Sequence, residues 1–244
     1  MIIIIGNTND DILYFSSILK NKKEETVLNR YTAYTGEIYN QEVILVKDVY
    51  SSYVSSMIVS NLITKYMAIL VISVGRCAAY SKNLRIGDIC ISRSVICGDV
   101  NISDYENVGK GRIPGFPQIF PASIEIVEAL QKSLQTLTLS RAYNCSFIGY
   151  NSHVDSTSEL APISENERIF GMPITTVFSS EVGGVAVACA IHDVPYVAIQ
   201  VVGNKIGEKA SFDSYLEVLK RYINVGKAVT SVIGEIGRSD ILGE

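Results

Sequence analysis

Apolar residues along this chain fall into short runs separated by polar and glycine-containing stretches, and the runs are of two kinds. Ile2 to Ile5 is apolar throughout and stops at Gly6, and the Pro-led run Val194 to Val202 stops at Gly203. Such runs predict buried strands. The same pattern predicts strands over residues 2–5, 30–38, 42–46, 68–74, 88–96, 146–150, 173–178 and 195–202. Between them, stretches with helical spacing predict helices over 10–19, 53–65, 123–137, 180–192 and 212–236. The last is amphipathic, with Leu216, Leu219, Tyr222, Ile223 and Val229 expected on one side. Residues 30–46 also read as an antiparallel hairpin turning at Tyr39, Asn40 and Gln41. The charge run Lys20 to Glu25 reads as a solvated helix end. The expected fold class is therefore α/β, a single domain over residues 1–244 with a central mixed, twisted sheet flanked by helices.

Composition narrows the picture. A hydrophobic fraction of 48% fills one large core, and 19% charged residues is below the usual quarter, as expected if surface is buried between subunits. The net charge of −4 leaves no electrostatic footprint for nucleic acid. The five cysteines, Cys77, Cys90, Cys97, Cys145 and Cys189, show no CxxC spacing, which predicts reduced thiols in a cytoplasmic protein. The apolar start has no basic region before it and is too short for a signal peptide or a membrane span. His153 and His192 have no partners at metal spacing, so neither a metal nor any other cofactor is expected.

Candidate chemistry collects where predicted strands end. Thr175-Thr-Val-Phe-Ser-Ser-Glu181 ends on a carboxylate and runs into a small-residue helix, and the run from Val194 leads to Asn204. In α/β folds, ligands bind beyond the carboxyl ends of parallel strands. Ile72-Ser-Val-Gly-Arg-Cys-Ala-Ala79 reads as a Gly-rich loop after a strand, of the kind that lets backbone approach a sugar or phosphate. Lys82-Asn-Leu-Arg-Ile-Gly-Asp-Ile-Cys-Ile-Ser92 follows it as a turn and a strand. Together with Ser211-Phe-Asp-Ser-Tyr-Leu216, these segments resemble the nucleoside phosphorylase/nucleosidase family. The likeness is greatest to its hydrolytic branch, which acts on methylthioadenosine-type nucleosides.

That resemblance implies roles for individual residues. Glu181, with Ser180 beside it, stands at the ribose-binding position, where a carboxylate accepts from the sugar hydroxyls; Ser179 replaces a second glutamate. Asp11 stands where a glutamate activates the attacking water, one methylene (about 1.5 Å) shorter. It reads equally as a first-turn residue of a helix capped by Asn9 or Asp10. Asn204 stands where an aspartate donates a proton to the leaving base, and an amide cannot deliver one. Arg76 replaces a small residue, as an anion receptor, as a plug, or as a salt-bridged surface arginine. Val100, Ile113, Pro114 and Phe212 would form an apolar wall for a thioether tail, at about 0.8 kcal/mol per buried methylene. The segment Gly111-Arg-Ile-Pro-Gly-Phe-Pro117 equally suits a subunit contact. Tyr50 and Tyr53 replace a glycine-rich turn and would narrow the site or contact a ligand or a neighbouring subunit. Val154 and Asp155 fall on the base-recognition loop.

The expected function is hydrolysis of the N-glycosidic bond of a purine nucleoside, with reduced turnover. A silent nucleoside-binding or structural homologue is the alternative, and a phosphorylase the third reading. The expected partners are a small-molecule nucleoside and further copies of the chain, as a dimer or larger, with neither nucleic acid nor membrane.

Overall fold

The computed structural model describes residues 1–102, 109–137, 141–151, 171, 175–208 and 211–238. Its strands are β1 (Ile2–Gly6), β2 (Lys20–Val27), β3 (Tyr31–Ile38), β4 (Gln41–Val46), β5 (Leu70–Ala79), β6 (Ile89–Cys97), β7 (Phe120–Pro121), β8 (Ala142–Gly149), β9 (Thr176–Ser179) and β10 (Tyr196–Lys205). The helices are α1 (Asn9–Ile18), α2 (Ser51–Tyr66), α3 (Ile124–Thr136), α4 (Val182–His192) and α5 (Phe212–Ile236).

The strands form one mixed sheet. β1 lies parallel to both β4 and β5, and β10 runs parallel along the other edge of β5. From β10 the sheet continues through antiparallel β6 and parallel β8 to β9, and β9 pairs antiparallel with the far end of β5. Five strands thus close into a ring, while β1, β4, β3 and β2 extend from it as an open wing.

Burial on both faces explains the unbroken apolar runs, since an interior parallel strand has no wet side. Ile3, Ile5, Ile44, Val46 and Val71 join the core under α2 and α4. Their alternates Ile2, Ile4, Val43, Leu45 and Leu70 join the opposite core under α1, α3 and α5. The hairpin between β3 and β4 turns through Tyr39 and Asn40, at φ 51° and 64°. Two successive left-handed residues match the right-handed twist of the flanking strands.

Four expectations are corrected. Residues 20–25 are not a helix end but part of edge strand β2, paired with β3 by the backbone ladder while the side chains of residues 20–24 face solvent and Glu25 is half-buried against Lys65 and Tyr66; lysines on an edge discourage pairing with another chain. Residues 72–79 form no loop, because β5 remains paired with β10 as far as Ala79. β10 likewise passes Gly203 by a register shift and carries Asn204 within the strand. On α5, Tyr222 and Val229 are buried and Leu219 packs against the same core as expected, but Leu216 and Ile223 are exposed and the stripe runs instead through Val218, Val225 and Val232.

Helices α2 and α4 cross where α4 carries Gly183 and Gly184. A Cβ on Gly184 would lie 1.9 Å from the Ser52 carbonyl oxygen, so only glycine permits this approach. The contact lets Ser52 Oγ donate to the Ser180 carbonyl (2.8 Å) and Ser55 Oγ to the Glu181 carbonyl (2.7 Å). The joint between β9 and α4 is thereby pinned.

Candidate functional site

A cavity of about 570 Å³ opens where the sheet forks. Along one edge of β5, pairing with β1 ends at Val74 and pairing with β9 begins only at Ala78. Among the described residues, no strand lies beside Gly75, Arg76 and Cys77 on that edge. Asn7 follows the end of β1 into the gap, and Ser179 and Ser180 enter it from β9. Because β9 runs antiparallel to β5, Glu181 and Asn204 are not on neighbouring ends of parallel strands; the two chains meet at the fork from opposite directions.

Of the residues singled out from sequence, Arg76, Asn204 and Ser180 line the cavity. Asn204 pairs in register with Ala78 and is half-buried. The exposed Arg76 side chain folds over Gly203, where a Cβ would come within 3.3 Å of Arg76 Cδ. Its guanidinium carbon lies 5.9 Å from the centre of the Tyr215 ring. Among the described residues it makes no ion pair. Tyr50 also lines the cavity, whereas Tyr53 is exposed outside it.

The two acids lie one layer back. Asp11 is buried beside Gly75, and its Oδ2 accepts from the backbone N–H of Thr8 at 2.7 Å. Thr8, rather than Asn9 or Asp10, is the cap residue of α1. Burial raises the Asp11 pKa above the usual carboxylate range, opposed by the nearby Tyr222 hydroxyl, by Thr8 and by Arg76. The Tyr222 hydroxyl lies near the Asp11 carboxylate but not in a hydrogen bond of ordinary geometry.

Glu181 is 1% exposed and starts α4. Its carboxylate accepts from Asn7 Nδ2 (3.1 Å), Ser180 Oγ (3.3 Å), Ser73 Oγ (3.4 Å) and Gln200 Nε2. Burial pushes its pKa up, and the Asn7 hydrogen bond is the first of the effects that oppose this.

The expected apolar wall is not assembled at this cavity. Val100 and Ile113 pack against the core, Pro114 is exposed, and Phe212 is 72% exposed at the start of α5. Val154 and Asp155 lie outside the described residues. Asn7, Ser73 and Gln200 were not singled out from sequence. Ser73 and Gln200 did carry a signal, since each is a polar residue inside an apolar strand run, where burial demands a partner. Among the described residues, no cluster of His, Cys, Asp or Glu could hold a metal ion, and no helix is long and apolar enough to cross a membrane.

A cavity with mixed polar and apolar walls at the split of a helix-flanked mixed sheet is the kind of frame in which α/β proteins hold small ligands. A model of the phosphorylase superfamily matches residues 1–233, and the chain belongs to that family. It is 26% identical over 220 residues to a 5′-methylthioadenosine/S-adenosylhomocysteine nucleosidase of Bacillus cereus (strain G9842), covering 88% of this chain and 91% of the relative. The corresponding nucleosidase of Halalkalibacterium halodurans is 25% identical over 239 residues, 96% of this chain and 98% of its own. In fold, the chain is similar to the nucleosidase of Neisseria meningitidis solved with methylthio-immucillin-A. The TM-score is 0.85 at 20% identity, with 96% of this chain and 98% of that one covered.

Proposed function

We propose that this protein hydrolyses the N-glycosidic bond of a purine nucleoside of the methylthioadenosine type, with reduced turnover. The observation that carries the reading is Asn204 in the wall of the forked cavity, in a chain related over most of its length to nucleosidases. In this reading the purine lies against Asn204, whose amide donates a hydrogen bond to a ring nitrogen without supplying a proton. General acid assistance is typically worth 10²–10⁴ in rate, and that is the deficit expected. Asp11 is buried behind the cavity rather than in its lining, so it is poorly placed to activate a water there.

The test is purified protein incubated with a panel of purine nucleosides, with and without inorganic phosphate, and base release followed by chromatography. Slow, phosphate-independent release of adenine from 5′-methylthioadenosine is expected. Release that requires phosphate would instead make the protein a phosphorylase with Arg76 as its anion contact. Binding without release would favour the silent homologue, the reading to which the amide at position 204 lends support.

The chain is further proposed to form a dimer or a larger homo-oligomer through α2 and the 111–117 loop. Exposed Tyr53 and Met57 on α2 support this, and a purely monomeric sedimentation profile at micromolar concentration would refute it. Five buried, unpaired thiols support a cytoplasmic location.

A further inference from the structure

Among the described residues that line the cavity, Arg76 is the one that carries a formal charge. A side chain of that length could fill the space, so what fixes its course matters. The stem crosses Gly203, and the guanidinium carbon ends 5.9 Å from the centre of the Tyr215 ring, within the range of a cation–π contact. Tyr215 is not part of the cavity lining. It stands in the first turn of α5, and its hydroxyl donates to Asp10 Oδ2, in the first turn of α1 and 205 residues away in the chain. The two helices pack closely enough to allow this. At Gly226 of α5 a Cβ would fall 2.2 Å from the ring of Tyr14, one turn beyond Asp10 on α1. The ring under the guanidinium is thus held from outside the cavity, by the helix that also carries Asp11.

We propose that Tyr215 is the positioning residue of Arg76: its ring, tethered by Asp10, parks the guanidinium at the rim and keeps the cavity open to a neutral ligand. A plug would carry its charge into the cavity, whereas this one ends over a ring on α5. A salt-bridged surface arginine would have an acid, and among the described residues Arg76 has no ion pair. The apparent affinity for a neutral nucleoside then scales with the fraction of molecules in which Arg76 is parked. The choice of ligand rests on the nucleoside reading above; the parking does not.

The experiment is calorimetric binding of 5′-methylthioadenosine to the full chain. Tyr215→Leu should weaken binding about 2- to 5-fold, the factor carried by one exposed cation–π contact. Tyr215→Phe retains the ring and should lose less. In an Arg76→Ser background, Tyr215→Leu should have no effect. A fault confined to α5 would persist in that background, so an effect that persists overturns the proposal. Unchanged or tighter binding by Tyr215→Leu, or an equal loss in Tyr215→Phe, also overturns it. A readout without ligand is the Arg76 Nε–H resonance, identified by its loss in Arg76→Ser. The ring should hold it upfield, Tyr215→Leu should move it downfield, and no movement overturns the proposal whether or not a nucleoside binds. A wild type that binds no nucleoside while this resonance moves as expected refutes the nucleoside reading and leaves the parking in place. Should Tyr215→Leu fail to fold, Asp10→Ala cuts the tether from the other side and decides by the same two readouts.

Discussion

Replacing Asn204 by aspartate exchanges an amide for a carboxyl of nearly the same volume, so packing is little disturbed and the change is electrostatic. Whether the new carboxyl can act as an acid depends on Arg76, which lines the same cavity and lies over Gly203 next to it. A guanidinium about 5–7 Å from a carboxylate favours the charged form by about 2–3 kcal/mol at an effective dielectric near 20. Solvent around this exposed arginine reduces the effect to roughly one pK unit. The new carboxyl is therefore expected to be ionised at neutral pH, and the single substitution to help mainly on the acid side. For Asn204→Asp, adenine release from 5′-methylthioadenosine should rise about tenfold or more near pH 5 and change little near pH 8. Removing the cation as well, in Arg76→Ser with Asn204→Asp, should carry the gain toward neutrality, with a ceiling of about 10²–10⁴ for full general acid catalysis. The assay is kcat/KM across pH 5–8, followed by chromatography of released adenine. A wild type already working at an ordinary enzyme rate, and unmoved by Asn204→Asp, would refute the role given to position 204. A double variant with the same pH profile as the single one would refute the coupling to Arg76.

Two further outcomes follow from the packing behind the cavity. Gly184→Ala places a methyl group 1.9 Å from the Ser52 carbonyl and 2.3 Å from Ser55 Oγ. Forcing α2 away should cost about 1–3 kcal/mol and lower Tm by a few degrees per kcal/mol, so an unchanged calorimetric Tm would contradict the close approach. Glu181 has a raised folded-state pKa, so the folded protein keeps a proton that the unfolded chain loses as the pH rises above the ordinary glutamate value. Its contribution to stability is greatest below that value and declines as the pH rises through the folded pKa. The stability of wild type relative to Glu181→Gln, measured by urea unfolding from pH 4 to 7.5, should therefore fall with increasing pH; a rise would reverse the sign assigned to burial.

The unbroken isoleucine run of β1 and the hairpin at Tyr39 and Asn40 were legible because their causes are local: burial on both faces and a two-residue turn. Strand β2 was not, because its exposed lysines and glutamates carry no alternation, and only the ladder to β3 makes it a strand. On α5 the reading held for Leu219, Tyr222 and Val229 and failed for Leu216 and Ile223, for a related reason. Helical spacing admits two apolar faces there, and the packing of α1 and α3 selects the one through Val218, Tyr222 and Val225. At the site, Asn204, Arg76 and Ser180 were found from strand ends and family likeness. The hydrogen-bond partners of Glu181 were not, since its donor Asn7 is 174 residues away in the chain. Polar Gln200 within Val-Ala-Ile-Gln-Val was a readable sign that some buried group needed a donor.

The cavity is a defect in a lattice of paired strands, left because β1 and β9 claim different stretches of the same edge of β5. Its frame is set by main-chain divergence, and the side chains on its rim set only how much of that space is left open. In the reading proposed above, an amide in place of the proton donor would leave this frame where it is. Recognition would then outlast turnover, and the void would be stock from which a different chemistry, or a purely sensory use of the same small molecule, could be fashioned by a few exchanges at its rim.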